Sequence, residues 1–299
     1  MSRPVLAHTR AELAEVLDAR RRAGERVGFV PTMGALHNGH ASLMKVARGE
    51  IGDGPLVVSI FVNPLQFGAG EDLDRYPRSL DVDLKVCERE SVDVVFVPSV
   101  DEVYPGGVPT STTTDAVTVE PGSLADVLEG RSRPGHFRGV LTVVAKLLGL
   151  VRPDVAVFGQ KDYQQLVLIR RMVADLCLGA DVVGAETERE PDGLALSSRN
   201  RYLDPEQRHQ AVALNRTLRA AQLAAVHGVD AALDAARAEL REAMGVDLEY
   251  LAITTPDLHD LTEGDTDLAP GSEGRVLIAA RIGTTRLIDN LPLTLGGDH

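Results

Sequence analysis

His37, Asn38, Gly39 and His40 end a segment, Pro31-Thr32-Met33-Gly34-Ala35-Leu36, that leaves a β-branched run at Val30 and enters a helical pattern near Ala41. A loop between the carboxyl end of a strand and a helix start presents unpaired backbone N–H groups, which suit phosphate. Gly34 and Gly39 carry no Cβ, so an anion can approach the main chain there. The two imidazoles add donors whose charge adjusts near neutral pH as charge develops on a leaving phosphate. The same residues could instead only cap the helix, or contribute two ligands to zinc, although no third ligand cluster of zinc-like spacing accompanies them. Neither G-x-x-x-x-G-K-[ST] nor G-x-G-x-x-G occurs, so no other loop competes for the phosphate role.

Further polar groups follow other strand-like runs. Asn63 and Gln66 come after Leu56–Val62, and Gln66 offers both a donor and an acceptor to a small polar substrate, or simply braces its loop. Gly159, Gln160, Lys161 and Asp162 follow Val155–Phe158, with Lys161 as a candidate phosphate cation or a solvated side chain, and Gln165 stands near the next helix start. In Leu196-Ser197-Ser198-Arg199-Asn200, two hydroxyls and a guanidinium could grip triphosphate oxygens; the plainer reading is a turn with an N-cap. Arg131, Arg133, His136 and Arg138 precede an apolar helix beginning near Val140, and much of that segment could be exposed.

These groups need a scaffold that puts strand ends on one edge. β-Branched runs at Val27–Val30, Leu56–Val62, Val92–Val97, Val155–Phe158 and Asp181–Ala185 alternate with helical patterns at Ser42–Val46, Leu80–Glu90, Val140–Val151 and Gln165–Leu176. That alternation predicts an α/β class with a Rossmann-like, doubly wound parallel sheet. Beyond Arg201 the pattern changes to alanine-rich helices at Pro205–Val226 and Asp230–Ala243, then strands at Leu248–Ile253, Val276–Ala280 and Thr285–Asp289, the last after a tight connection at Thr284-Thr285. The reading is a first domain over residues 1–186 and a smaller α+β domain over residues 187–299, with 188–201 as the crossover. The acidic stretch from Glu263 to Glu273 reads as a solvated loop.

The chain has 299 residues and 44 acidic against 31 basic side chains, a net charge of −13. This balance argues against broad nucleic-acid binding, which needs a basic face. Aromatics are 4% of the chain and tryptophan is absent, leaving little for base stacking. Cys87 and Cys177 lie in separate apolar or helical patterns and read as reduced, cytoplasmic thiols. No signal core and no apolar run near the ~20 residues of a membrane span are visible, so neither secretion nor insertion is expected.

The Pro31–His40 segment resembles the H-x-G-H signature of nucleotidylyltransferases in the extended Pro-Thr-Met-Gly form of the pantothenate synthetase family. The Gly159-Gln160-Lys161-Asp162, Ser197-Ser198-Arg199-Asn200 and Arg133-Pro134-Gly135-His136-Phe137 segments resemble that family's other motifs. The resemblance implies ATP-dependent condensation of pantoate with β-alanine through pantoyl adenylate, with release of pyrophosphate and AMP. It implies ATP contacts from Met33, Gly34, Ala35, Leu36, His37, Asn38, Gly39 and His40, from Gly159, Gln160, Lys161 and Asp162, and from Glu188, Leu196, Ser197, Ser198 and Arg199. His40, His37, Lys161, Ser197, Ser198 and Arg199 would be the catalytic set, with His40 the main donor. Gln66 and Gln165 would hold pantoate, Gln66 would also meet β-alanine, and Arg133 with His136 would organise the site. Mg2+ would accompany ATP, with Asp83 as the protein group nearest to that role, since Val82 stands where relatives often have a carboxylate. Glu188 stands where relatives often place an apolar residue against adenine, a contact that backbone can supply. A cytoplasmic homodimer is also implied.

Overall fold

The Thr9 side chain accepts a hydrogen bond from the Glu12 backbone N–H, and Glu12 reaches back to the Thr9 N–H. This reciprocal cap starts helix α1, Arg10–Arg22, whose Leu13 and Leu17 turn inward. No element is expected here from periodicity, although Thr9-x-x-Glu12 is a local start signal. The short strand β1, Val5–Ala7, is likewise not expected, because its three residues carry too little periodicity to stand out. The computed structural model describes residues 3–68, 70–71, 73–109, 116–262 and 269–296.

Two compact units divide the chain: Met1–Gln160 with Gln164–Glu186, and Lys161–Tyr163 with Thr187–His299. In the first unit, β1 is joined by β2 (Gly28–Thr32), β3 (Leu56–Ile60), β4 (Val94–Phe96), β5 (Val155–Gly159) and β6 (Asp181–Ala185). All pair in parallel in the order β1-β4-β3-β2-β5-β6. The connections carry helices α2 (Asn38–Ile51), α3 (Leu80–Arg89), the short turns α4 (Val100–Val103) and α5 (Leu128–Ser132), then α6 (His136–Val151) and α7 (Tyr163–Asp175). The expected α/β class is what the structure shows. Helix α2 begins at Asn38, three residues before the expected start, because His37 caps it.

The strands run as near-continuous apolar segments because both faces are covered. Val30, Val58, Val95 and Val157 join Met44, Ala47 and Cys87 in one core. Chain order reverses between β2 and β5, where doubly wound sheets bind ligands. Their pairing covers only Gly28–Phe29 against Val155–Ala156, while β2 continues to Thr32 and β5 to Gly159. The two strands therefore part toward their carboxyl ends.

The second unit is an antiparallel sheet in the order β10-β9-β7-β8, with α8 (Pro205–Ala224) and α9 (Val229–Glu242). Its strands are β7 (Val246–Thr254), β8 (Asp260–Leu261), β9 (Ser272–Ile282) and β10 (Thr285–Leu295). Leu214, Leu218, Ala232 and Leu233 from the helices pack with Ile253, Val276, Ile278, Leu287 and Leu291 from the sheet. Strand β10 runs six residues past the expected Asp289, through Pro292. Proline is tolerated because β10 is an edge strand and needs no donor on its outer side. The tight connection is the two-residue turn Gly283–Thr284, with Gly283 at φ 58°. Of the acidic stretch read as a loop, Ser272 and Glu273 belong to β9 and residues 263–268 lie outside the described residues.

Cys87 is fully buried in the first core, where burial pushes its thiol up to about 12, whereas Cys177 is exposed. A thiol reagent should titrate one sulfur per folded chain and the second only in denaturant. Two fast-reacting thiols in the native protein would contradict this core packing.

Candidate active site

The segment after β2 is shaped by a carboxylate from another helix. Asp83, on α3 and 1% exposed, accepts the backbone N–H of Ala35 at 3.0 Å and of Leu36 at 2.8 Å, one on each oxygen. The Ser79 hydroxyl adds a third donor at 3.4 Å. This grip holds Gly34 at φ 85° and Ala35 at φ 52°, two successive residues in the left-handed region. The positive φ of Gly34 favours glycine, and a Cβ there would also press on Asp83 Oδ2 and Ile60. Thr32 anchors the start of the turn by donating to the Ser59 carbonyl and accepting from Gly34 N–H.

The histidines do cap α2. His37 Nδ1 accepts the Gly39 N–H at 3.1 Å, and His40 Nδ1 accepts the His37 N–H at 3.3 Å. Because both Nδ1 atoms accept, both neutral rings carry their hydrogen on Nε2. The rings lie 4.2 Å apart, centroid to centroid. Capping and anion chemistry are therefore compatible: one nitrogen of each ring orders the helix start and the other is a donor. Among the described residues no group of three or more His, Cys, Asp and Glu could hold a metal ion. Asp83 has both oxygens on main-chain donors and is buried, a donor set that does not fit a magnesium ligand.

Gln66 ends a short 3-10 turn, Pro64–Gln66, and its orientation is determined by neighbours. Asn63 accepts the Leu65 N–H on Oδ1 and donates from Nδ2 to the Gly139 carbonyl, two backbone partners that permit only one amide orientation. Buried Tyr104 donates to the same Oδ1 at 2.7 Å. Asn63 Nδ2 then donates to Gln66 Oε1 at 3.1 Å, so Gln66 turns its Nε2 donor toward Met33, with Sδ at 3.1 Å. Gly139 permits this packing, since a Cβ there would run into the Leu65 carbonyl and Gln66 Cα.

A second chain of contacts holds the Gln66 backbone. Glu71 receives Arg133 on both oxygens at 2.8 and 2.7 Å, Arg133 Nη1 meets His136 Nε2 at 2.9 Å, and His136 Nδ1 meets the Gln66 carbonyl at 2.9 Å. Arg133 can only donate, so His136 carries its hydrogen on Nδ1 and donates to Gln66. Burial alone would raise the Glu71 carboxyl, but the Arg133 hydrogen bonds and charge outweigh it and hold it below the usual carboxylate value. Tyr104 and Glu71 were not singled out from sequence, where nothing local marks them.

The structure thus brings Met33–His40, Gln66, Arg133 and His136 into linked contact within the first unit. Asn38 is the first residue of α2. Gly159 ends β5, and Gln160 donates to the Gly184 carbonyl of β6. Gln165 lies half-buried on α7, next to the fully engaged Gln164. In the second unit, Lys161 is half-buried with Asp162 beside it at 3.9 Å. Exposed Glu188 accepts the Leu196 N–H on its carbonyl, closing a hairpin that leads to Ser197. Ser197 caps the 3-10 turn Ser198–Tyr202 by accepting the Arg199 N–H, and Ser198 and Arg199 are half-buried at the start of that turn.

Replacing Asp83 with Asn leaves one amide NH2 against a backbone N–H. Asp83→Asn should lower stability by about 1–3 kcal/mol, the cost of an unpaired buried donor, read from the urea midpoint at unchanged slope. An unchanged midpoint would show that the carboxylate does not brace the turn.

A family model described as pantoate-beta-alanine ligase matches residues 5–292. The chain is 68% identical over 299 residues to the pantothenate synthetase of a Nocardioides species, covering 99% of this chain and 87% of the relative. A pantothenate synthetase structure from Thermus thermophilus superposes with a TM-score of 0.84 at 48% identity, covering 96% of this chain and 98% of that one. A pantoate-beta-alanine ligase from Francisella tularensis, solved with beta-gamma ATP and β-alanine, superposes with a TM-score of 0.74 at 35% identity, over 96% and 97% of the two chains. The chain belongs to the pantoate–β-alanine ligase family.

Proposed function

We propose that this chain condenses pantoate with β-alanine at the expense of ATP. The observation that carries the reading is the braced turn after β2, where Asp83 holds the main chain open and both histidines are set as Nε2–H donors at a helix N-terminus. Family membership selects the substrates; the turn explains how phosphate charge is met.

In the first step a pantoate carboxylate oxygen attacks the α-phosphorus of ATP and pyrophosphate leaves, giving pantoyl adenylate. Charge builds on the phosphate oxygens, so fixed donors aimed there lower the barrier. His40 is the main donor and His37 supports the nucleotide, with Met33 to Asn38 and Gly39 lining it through main-chain atoms. Gly159, Gln160, Lys161 and Asp162, then Glu188 and Leu196 through backbone, and Ser197, Ser198 and Arg199 supply the remaining ATP contacts. In the second step the β-alanine amine attacks the acyl carbon and AMP leaves. Gln66 and Gln165 hold pantoate, with Gln66 near the incoming amine. The donor polarity of Gln66 suits a carboxylate or hydroxyl oxygen as its partner. Residues 1–186 serve as the ATP- and pantoate-binding domain and residues 187–299 as the smaller domain carrying the Ser197–Arg199 segment.

Magnesium would come with ATP, whose phosphates and water commonly hold this hard ion, and would supply neutralisation of phosphate charge. The enzyme works as a cytoplasmic homodimer on small molecules, apart from nucleic acid and membrane; among the described residues no helix is long and apolar enough to cross a membrane.

Pyrophosphate release with ATP and pantoate, followed by AMP and pantothenate on adding β-alanine, tests the whole reading; pyrophosphate release without pantoate sinks it. His40→Ala should lower kcat for pyrophosphate release about 10²–10³-fold while losing roughly 1 kcal/mol of stability as a helix cap. Full activity in that variant would remove His40 from the mechanism. Gln66→Glu keeps the acceptor that Asn63 uses but presents no donor, so the pantoate KM should rise on the order of tenfold or more with the ATP KM little changed. An unaltered pantoate KM rejects the donor assignment.

A further inference from the structure

Strand β10 contains two adjacent buried polar residues, Asp289 and Asn290, at 3% and 2% exposure. Alternation explains the first position but not the second. Asp289 shares a face with Leu287, Leu291 and Leu293, whereas the neighbours of Asn290 on the other face, Arg286, Ile288, Pro292 and Thr294, are half-buried or exposed. Something in the second unit covers Asn290 alone.

What covers it is the Lys161 turn. Asn290 Nδ2 donates to the Lys161 carbonyl at 2.9 Å, and Arg275 Nη1 donates to Asn290 Oδ1 at 2.7 Å, which leaves only the Nδ2 edge for Lys161. Arg275 also stacks over the Tyr163 ring, 3.9 Å from its centroid, while the Tyr163 hydroxyl donates to the Pro256 carbonyl at 2.8 Å. These bonds give a physical reason for Lys161–Tyr163 grouping with the second unit although the turn lies between β5 and α7.

The preceding residue grips the other phosphate-binding segment. Asp289 receives Arg189 Nη1 at 2.7 Å and Nη2 at 2.9 Å, and Arg189 also donates to the Gly193 and Asn290 carbonyls. Arg189 bridges to Ala195, so this pair fixes the root of the hairpin whose exit leads into Ser197, Ser198 and Arg199. Asn200 closes the far side by donating to the Ala195 carbonyl and to Glu190.

We propose that Asp289 and Asn290 are positioning residues for nucleotide phosphate binding: Asn290 sets the Lys161 turn, and Asp289, through Arg189, sets the hairpin that delivers Ser197 to Arg199. Adjacent residues on one rigid strand hold both donor segments in a constant mutual arrangement. The proposal rests on the ATP-dependent reading above, and neither residue touches substrate.

The test is steady-state pyrophosphate release and calorimetric ATP binding for wild type, Asn290→Ala, Lys161→Ala and the double variant. Asn290→Ala should raise the ATP KM and weaken ATP binding about tenfold, with the pantoate KM within about twofold, and this penalty should disappear in the Lys161→Ala background. Asn290→Asp keeps an acceptor for Arg275 but loses the donor to Lys161, and should weaken ATP in the same direction. ATP parameters within about twofold of wild type in folded Asn290→Ala, or an undiminished penalty in Lys161→Ala, overturn the proposal. Should Asn290→Ala fail to fold, Arg189→Lys, which loses the two-point grip on Asp289, must show the same ATP-selective loss; an unchanged ATP KM there overturns it too. A wild type lacking pantoate-dependent turnover rejects the functional reading instead, and ATP binding then decides the positioning role.

Discussion

A buried carboxylate cannot remain unpaired, and the partners Asp83 takes are the main-chain N–H groups of Ala35 and Leu36. That requirement couples α3 to the turn after β2 and holds two successive residues in a conformation that an unsupported chain would leave. The start of α2, the orientation of His37 and His40, and the contact of Met33 with Gln66 all follow from where this turn is held. A carboxylate expected near magnesium is instead an internal brace.

The polarity of the site is set by hydrogen bonds at one remove from it. Each of His37 and His40 uses Nδ1 to accept a backbone N–H, which assigns the hydrogen to Nε2, while His136 is driven to the opposite tautomer because Arg133 donates to its Nε2. Asn63, oriented by Leu65 and Gly139, does the same for Gln66. Neutral side chains are thereby given directional roles without fixed charge, the arrangement that the proposed phosphate chemistry calls for. In the second unit, the Lys161 turn and the hairpin leading to Ser197–Arg199 are held by the edge strand of an antiparallel sheet.

The same division explains why certain residues tolerate no substitute of a different shape. Gly139 is backed by main-chain atoms that cannot retreat, and the amide and guanidinium groups of Asn63, Asn290 and Arg189 each satisfy two or more partners at once. Losing one partner strands another in a buried setting, which costs more than the hydrogen bond itself.

The amino-acid sequence by itself determined the parallel sheet, through apolar runs at Val155–Phe158 and their neighbours separated by helical periods, and it marked the 31–40 turn as a candidate anion site, because its glycines and histidines are adjacent in the chain. Family resemblance supplied the substrates. Capping of α1 by Thr9 and Glu12 was equally local and could have been read. The partnerships of Asp83 with Ala35, Tyr104 with Asn63, Glu71 with Arg133 and Asn290 with Lys161 could not. Local spacing records periodicity and turn chemistry, whereas a contact between residues far apart in the chain depends on strand order, register and the direction in which each side chain leaves its element; those are decided only when the tertiary structure forms.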